Sequence, residues 1–273
     1  MIEIEVNKKG AELKSVKVNG IEKMHDGQSF WNRTSPVLFP IVGKLKDGKT
    51  LIDGKEYKMG QHGFARDMDF EKISDYEYVL RYNEETLKMF PYKFELYISY
   101  EIEGNKLTTK YKVKNVDNRM IEFGLGAHPA FRCEYSSGKY RLEFEDIEDE
   151  VEIYQLEDGL VKDEKENKRK YIRENRIFLE PNTFDNDAII LTNIKSKVVY
   201  LKTETKTIMS LDFNDFPYLG VWSKKDAPFV CLEPWFSTAD KVSSNGEFEE
   251  KDNLIELKEG QTFNAKYTVE FFV

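Results

Sequence analysis

The chain has 273 residues, 40% apolar and 33% charged, with a formal net charge of −9. That length and balance describe a soluble globular protein with a sizeable core, and the diffuse negative field argues against nucleic acid as the main partner. No run approaches ~18 apolar residues, so no membrane span is expected. The opening "MIEIEVNKKG" lacks a basic segment followed by an apolar run, so no signal peptide is expected either. Two separated cysteines, Cys133 and Cys231, make no disulfide framework. A reducing cytosol is the simpler compartment, and the expected location is cytoplasmic.

Period two dominates the chain. In order, "IEIEV" (2–6), "YEYVLRY" (76–82), "KFELYISYEIEGNKLTTKYKVKNV" (93–116), "YRLEFE" (140–145), "KVVYLKT" (197–203), "YLGVW" (218–222), "FVCLEP" (229–234) and "FNAKYTVEFFV" (263–273) read as strands. Turn signals separate them at 18–20, 46–49, 52–55, 103–105 and 157–159, and "EGN" at 103–105 is the cleanest hairpin. Only "NEETLKMF" (83–90) reads as a helix, of about two turns, stopped by Pro91. Residues 237–246 read as a short turn or loop, and the charge-dense 145–176 as a solvated hairpin or loop. With no linker and no repeat, residues 1–273 are expected to form a single all-β domain of sheets packed face to face.

Three stretches are candidates for chemistry. In "FGLGAHPAF" (123–131), a continuous strand would put Glu122, Gly124, Gly126, His128 and Ala130 on one face. That face is nearly stripped of side chains, which favours a cleft in front of His128. A hydrogen-bonded structural histidine beside a bulge is the equal alternative. In "GQHGFARDMDF" (60–70), Gly60 and Gly63 bracket His62 in a tight loop. Arg66 there is able to donate two hydrogen bonds to a diol, carboxylate or phosphate. An exposed loop histidine with Arg66 in a surface ion pair is the bland reading. In "FVCLEPWFSTAD" (229–240), Phe229, Cys231, Glu233 and Trp235 share a strand face. A carboxylate in that company is costly to bury ionised, so its pKa is expected to rise unless a Lys or Arg pairs with it. His25, in "MHDGQ", reads as a surface turn. No His/Cys run has zinc spacing, so no metal is expected, and no phosphate loop, dinucleotide fingerprint or nucleophile elbow is present.

Taken together, "SPVLFPIVGKLKDG" (35–48), "YKMGQHGFAR" (57–66), "GAHPAF" (126–131), "FDNDAII" (184–190), "YLGVWSK" (218–224) and "CLEPWFSTAD" (231–240) resemble the aldose 1-epimerase (galactose mutarotase) superfamily, nearest its LacX-like subgroup. The resemblance spans most of the chain and implies a large antiparallel β-supersandwich with the site in a concave cleft. It implies Glu233 as catalytic base, His128 as catalytic acid and His62 as the histidine that holds and polarises the sugar. It implies Asp187 as the carboxylate for sugar hydroxyls, with Asp185 close enough to compete. Gly124 and Gly126 are expected to leave room for the sugar ring, and Trp235 or Trp222 to cover its apolar face. Many relatives carry an arginine where this chain has Lys44, and lysine cannot reproduce a bidentate fork.

Anomer interconversion needs one acid and one base, expected on opposite sides of C1, and no cofactor. The partner implied is a small sugar or sugar phosphate, and for a phosphate Arg66, Lys44 and Arg132 are the candidate cations. A carbohydrate-binding or sensing protein that keeps the cleft without turnover is the reading from another class. The oligomeric state is not fixed, and a homodimer stays open.

Overall fold

The alternating run around "EGN" forms two ten-residue strands, Phe94–Glu103 and Lys106–Asn115, joined by a turn at Gly104–Asn105. Phe94, Leu96, Ile98 and Tyr100 of the first strand, and Leu107, Thr109, Tyr111 and Val113 of the second, are buried, one residue in two, as a half-buried strand requires. The computed structural model describes residues 1–148, 150–166 and 171–272. In it these strands lie within a ten-stranded sheet. Its order is Ile172–Arg173, Arg176–Leu179, Tyr140–Phe144, Val198–Thr203, Thr207–Asp212, Thr262–Phe271, Lys106–Asn115, Phe94–Glu103, Glu77–Arg81, Glu71–Ser74.

A second, eight-stranded sheet runs Leu160–Glu166, Glu152–Glu157, Ile189–Thr192, Tyr218–Trp222, Phe229–Trp235, Gly126–Ala127, Val37–Leu38, with Ala130–Arg132 also paired to Phe229–Trp235. Every pairing in both sheets is antiparallel. Ile189, Leu191, Leu219, Val221, Val230 and Leu232 of this sheet join Leu96, Ile98, Val113, Leu211 and Val269 of the longer one in a single apolar core. Each such side chain contributes roughly 1.5–3 kcal/mol by leaving water. Strand alternation then turns the intervening residues, Ile190, Tyr218, Trp222, Cys231, Glu233 and Trp235, to the opposite face. The fold is the large antiparallel β-supersandwich that the strand content and the resemblance lead one to expect.

Other local readings hold. The two-residue turns Asn19–Gly20, Asp53–Gly54 and Asp158–Gly159 all have positive φ, the primed geometry that suits hairpins. The helix is Glu84–Met89, its first N–H groups capped by the Asn83 side chain. The charge-dense stretch is a hairpin, Glu152–Glu157 and Leu160–Glu166, although residues 149 and 167–170 of that reading lie outside the described residues. It is not merely a solvated one: its Leu156 and Gly159 line the cleft described below. Both cysteines are free and buried. Among the described residues, no helix is long and apolar enough to cross a membrane.

Candidate active site

The segment 121–131 is not one continuous strand. It is broken into Ile121–Phe123, Gly126–Ala127 and Ala130–Arg132, with Pro129 interrupting the ladder. On either side of the break the partner strand keeps one register, Gly126 opposite Trp235 and Ala130 opposite Cys231. Carried across the three residues between them, that register sets His128 opposite Glu233. Their side chains meet: His128 Nε2 lies 3.1 Å from Glu233 Oε2, both groups almost wholly buried. The expected vacancy above Gly124 and Gly126 is filled by protein. A Cβ at Gly126 would sit 2.7 Å from the Trp235 ring, and one at Gly124 would meet Ser237 and the Ile41–Val42 backbone. On the other flank a Cβ at Gly220 would sit 2.8 Å from the same indole. These two glycines seat Trp235, not a ligand.

The open space lies further out. A cleft of about 570 Å³, well within the range of small-molecule sites, is lined by His62, Arg66, His128, Asp187, Trp222, Glu233 and Trp235 among the residues expected for the site. It is also lined by Trp31, Asn32, Arg33, Gln61 and Lys224, which the reading of the sequence passed over. Trp31 lies over the His128 ring at 4.8 Å between centroids, and Trp222 meets the same ring edge-on at 5.7 Å. The loop carrying Trp31 is pinned at both ends to one strand residue: His25 N–H donates to the Ala130 carbonyl, and Ala130 N–H to that of Thr34. His25 is therefore not a surface turn residue. It is 3% exposed, packs on Phe229, and its Nε2 bonds the Trp31 carbonyl at 2.8 Å. The signal for Trp31 was an aromatic pair set in a Gly/Ser/Asn-rich loop, where a large apolar side chain has no strand to face.

His62 has φ +66, a conformation rare outside glycine, and its backbone N–H donates to the Gly43 carbonyl at 2.7 Å. The Gly43 N–H returns a bond to His62 Nδ1 at 3.0 Å. An Nδ1 that accepts leaves the ring hydrogen of the neutral imidazole on Nε2. Burial, with His128 and Arg66 nearby, pushes the His62 pKa well down, so the ring is neutral and offers one donor. Gly63 follows at φ +72, and a Cβ there would sit 2.3 Å from the Phe39 carbonyl oxygen.

Among the described residues, three cations face the cleft. Arg33 donates to Asp67 at 2.7 Å and to the Arg66 carbonyl at 3.3 Å. Arg66 donates from Nη2 to the Gln61 carbonyl at 2.6 Å, and its buried Nε–H has no hydrogen-bond partner. Lys224 reaches the Phe30 carbonyl at 2.9 Å. Asp187 lines the cleft and bonds the Ala188 N–H. Asp185 instead lines a separate hollow, 3.9 Å from Lys225. Lys44 is not among the lining residues; its Nζ donates to the Asp158 carbonyl at 2.9 Å. Arg132 is elsewhere too, bonded to the Met24 carbonyl beside a different hollow.

Burial pushes the Glu233 carboxyl pKa well up, Asp187 adds to the rise, and the Trp235 indole opposes it. That indole N–H nonetheless makes no hydrogen bond of ordinary geometry. Burial, together with Arg66 and Arg33, brings His128 down to about 3. Both shifts have one cause, the cost of a charge in a desolvated site. The pair therefore holds one proton between its two members across a wide pH span. Among the described residues no lysine or arginine pairs with Glu233, so the ordinary ion-pair alternative finds no support there.

Comparison with known proteins agrees with this architecture. A family profile described as aldose 1-epimerase matches residues 2–269. The plasmid-borne protein LacX of Lactococcus lactis subsp. lactis is 28% identical, over 95% of this chain and 93% of its own length. A galactose mutarotase-like protein from Lactobacillus casei superposes with a TM-score of 0.92 at 30% identity, covering 99% of this chain and 97% of that one. A galactose mutarotase related enzyme from Lactobacillus acidophilus gives 0.90 at 30% identity, covering 100% and 95%. The chain belongs to the aldose 1-epimerase family, in its LacX-like subgroup.

Proposed function

We propose that the protein interconverts the α and β anomers of a hexose by opening and reclosing the hemiacetal ring. The single observation that carries this reading is the 3.1 Å contact between His128 Nε2 and Glu233 Oε2 on the wall of a sugar-sized cleft. The anomeric hydroxyl oxygen O1 and the ring oxygen O5 share one carbon. Adjacent acceptor and donor atoms on one wall can therefore serve both at once, without standing on opposite sides of C1. Glu233 takes the proton from O1 while His128 delivers one to O5; the C1–O5 bond breaks and C1=O forms. Rotation about C1–C2 presents the other carbonyl face, and closure returns both protons. The carboxylate–imidazolium pair used in this step and the neutral pair favoured by burial differ only in where the one proton sits. His62 supplies a fixed Nε2–H donor to a sugar oxygen, Asp187 accepts from hydroxyls, and Trp31 and Trp222 cover the ring's apolar face. The chemistry needs no organic cofactor.

A second reading of the substrate rests on Arg33, Arg66 and Lys224. Three cations, one with a buried Nε–H that makes no hydrogen bond and lies 3.8 Å from Asp67 Oδ2, favour a sugar that bears an anionic group such as a phosphate. NMR exchange spectroscopy on glucose and glucose 6-phosphate, corrected for spontaneous exchange, tests both readings. Catalysed exchange of either sugar is expected, faster for the phosphate if the arginines select it. Binding without exchange would instead make the protein a sugar sensor.

The pH dependence of kcat/KM follows from the same pair. Below the lowered His128 value the pair gains a second proton and loses its base; above the raised Glu233 value it loses its acid. The rate is expected to be flat between pH 5 and 7 in a stopped-flow polarimetric assay. A fall with a midpoint near 6.5 would mean that His128 titrates as an isolated imidazole and shares no proton. Trp31→Ala removes the stacking surface and uncovers the His128 ring it lies over, while the Nε2–Oε2 contact with Glu233 does not involve it. Steady-state kinetics should show KM raised ~10-fold and kcat changed less.

A further inference from the structure

No sequence spacing pointed to a metal, yet the fold assembles a ligand set from distant parts of the chain. One donor atom each from His128, Cys231 and Glu233 lies within 4.8 Å of the other two, and all three residues are buried. Cys231 and Glu233 are alternate residues of one strand and so share a face; His128 arrives through the broken ladder opposite. Glu233 Oε2 makes no hydrogen bond of ordinary geometry despite its 3.1 Å approach to His128, and His128 Nδ1 has no partner. A four-coordinate zinc site has bonds of ~2.0–2.3 Å, which places neighbouring ligand atoms about 3.3–3.6 Å apart. The nitrogen–oxygen pair is already near that spacing, and the widest separation needs to close by roughly 1 Å.

We propose that this cluster is a binding site for a thiophilic divalent cation, Zn²⁺ or Co²⁺ in chemical class, and that the bound ion blocks sugar turnover. The mixed nitrogen, sulfur and oxygen set selects a borderline-soft ion over Mg²⁺ or Ca²⁺. Binding forms metal–nitrogen, metal–sulfur and metal–oxygen bonds and releases the thiol and carboxyl protons to water. The two charges of the cation are cancelled by one thiolate and one carboxylate. The buried site stays neutral overall, which removes the main cost of ionising either group there. Two of the three ligands, His128 and Glu233, line the cleft, so an ion bound to them sits on its wall. The ion occupies both atoms assigned to proton transfer, so it competes with substrate.

The inhibition arm rests on the proton-transfer reading of the same pair, whereas the binding arm does not. Metal-free full-length protein is titrated with Co²⁺ and followed by its thiolate-to-cobalt absorption in the near ultraviolet. Zn²⁺ inhibition of anomer exchange is measured in parallel. The absorption band is expected in wild type, retained in Cys133→Ala, and lost in Cys231→Ala, with circular dichroism checking that each variant is folded. Zn²⁺ is expected to inhibit wild type competitively and Cys231→Ala at least ~10-fold more weakly. A band in wild type with no exchange activity to inhibit would overturn the function proposed above and leave the metal site standing. No band in wild type, or a band unchanged in Cys231→Ala, would overturn the site.

Discussion

Glu233→Gln is expected to lower the catalysed anomer-exchange rate by about a thousandfold, close to 4 kcal/mol of barrier, with little change in stability. The amide keeps the size and planarity of the carboxyl group, so the Trp235 ring stays on its Gly126 and Gly220 seat. What is lost is the one proton that the His128–Glu233 pair passes between its members, because an amide neither accepts nor releases a proton at accessible pH. The wild-type carboxyl is held protonated by burial, so replacing it with a neutral group removes no favourable charge from the folded protein. Exchange spectroscopy reads the rate and thermal unfolding reads the stability. A variant of wild-type rate would remove Glu233 from the proton path. A variant slow only because it is unfolded would show itself by a large drop in Tm.

The strands, their turns and the short helix were legible because each is written locally. Period-two alternation specifies a half-buried strand, and a Gly-containing pair with positive φ specifies its hairpin. His128 and Glu233 were legible as residue types in unusual company, but their contact was not. It depends on a register shared by two strands a hundred residues apart, with Pro129 releasing His128 from the ladder between them. Gly124 and Gly126 were misread for a related reason. A missing side chain marks close approach by something, and only the packing identifies the Trp235 indole and Ser237 rather than a sugar. His25 and Trp31 were missed because both take their roles from tertiary pinning of a polar loop onto Ala130. The choice between Asp185 and Asp187 was beyond periodicity as well, since the two lie in a turn region and open onto different hollows. Lys44 had the right neighbours in sequence, yet its stem packs against Gly159 and its ammonium caps a carbonyl of the hairpin beyond.

Lys251→Met is expected to destabilise the fold by about 3–5 kcal/mol, a drop in Tm on the order of 10 °C. The Lys251 ammonium is bonded to Asp240 Oδ1 and to the Thr238 carbonyl, and the two side chains are only 3% and 2% exposed. The other carboxylate oxygen accepts the Lys46 N–H at 2.9 Å, and the Asp240 N–H donates to the Lys44 carbonyl at 2.9 Å. Removing the cation leaves a buried carboxylate with one backbone donor, which is the costly way to break a buried pair. Adding Asp240→Asn to Lys251→Met should recover part of the loss, because a neutral amide still accepts from Lys46. The effect should also reach the cleft. Ala239 packs on Gly43 so tightly that a Cβ at Gly43 would sit 2.5 Å from the Ala239 methyl, and the Gly43 N–H sets the His62 tautomer. If the 237–242 loop loosens, Gly43 loses its backing and the His62 Nε2 donor loses its fixed direction. Below its own Tm, the single variant should therefore show a raised KM for sugar, which the double variant partly restores. A Lys251→Met protein with wild-type Tm and wild-type KM would mean that this ion pair supports neither the fold nor the site.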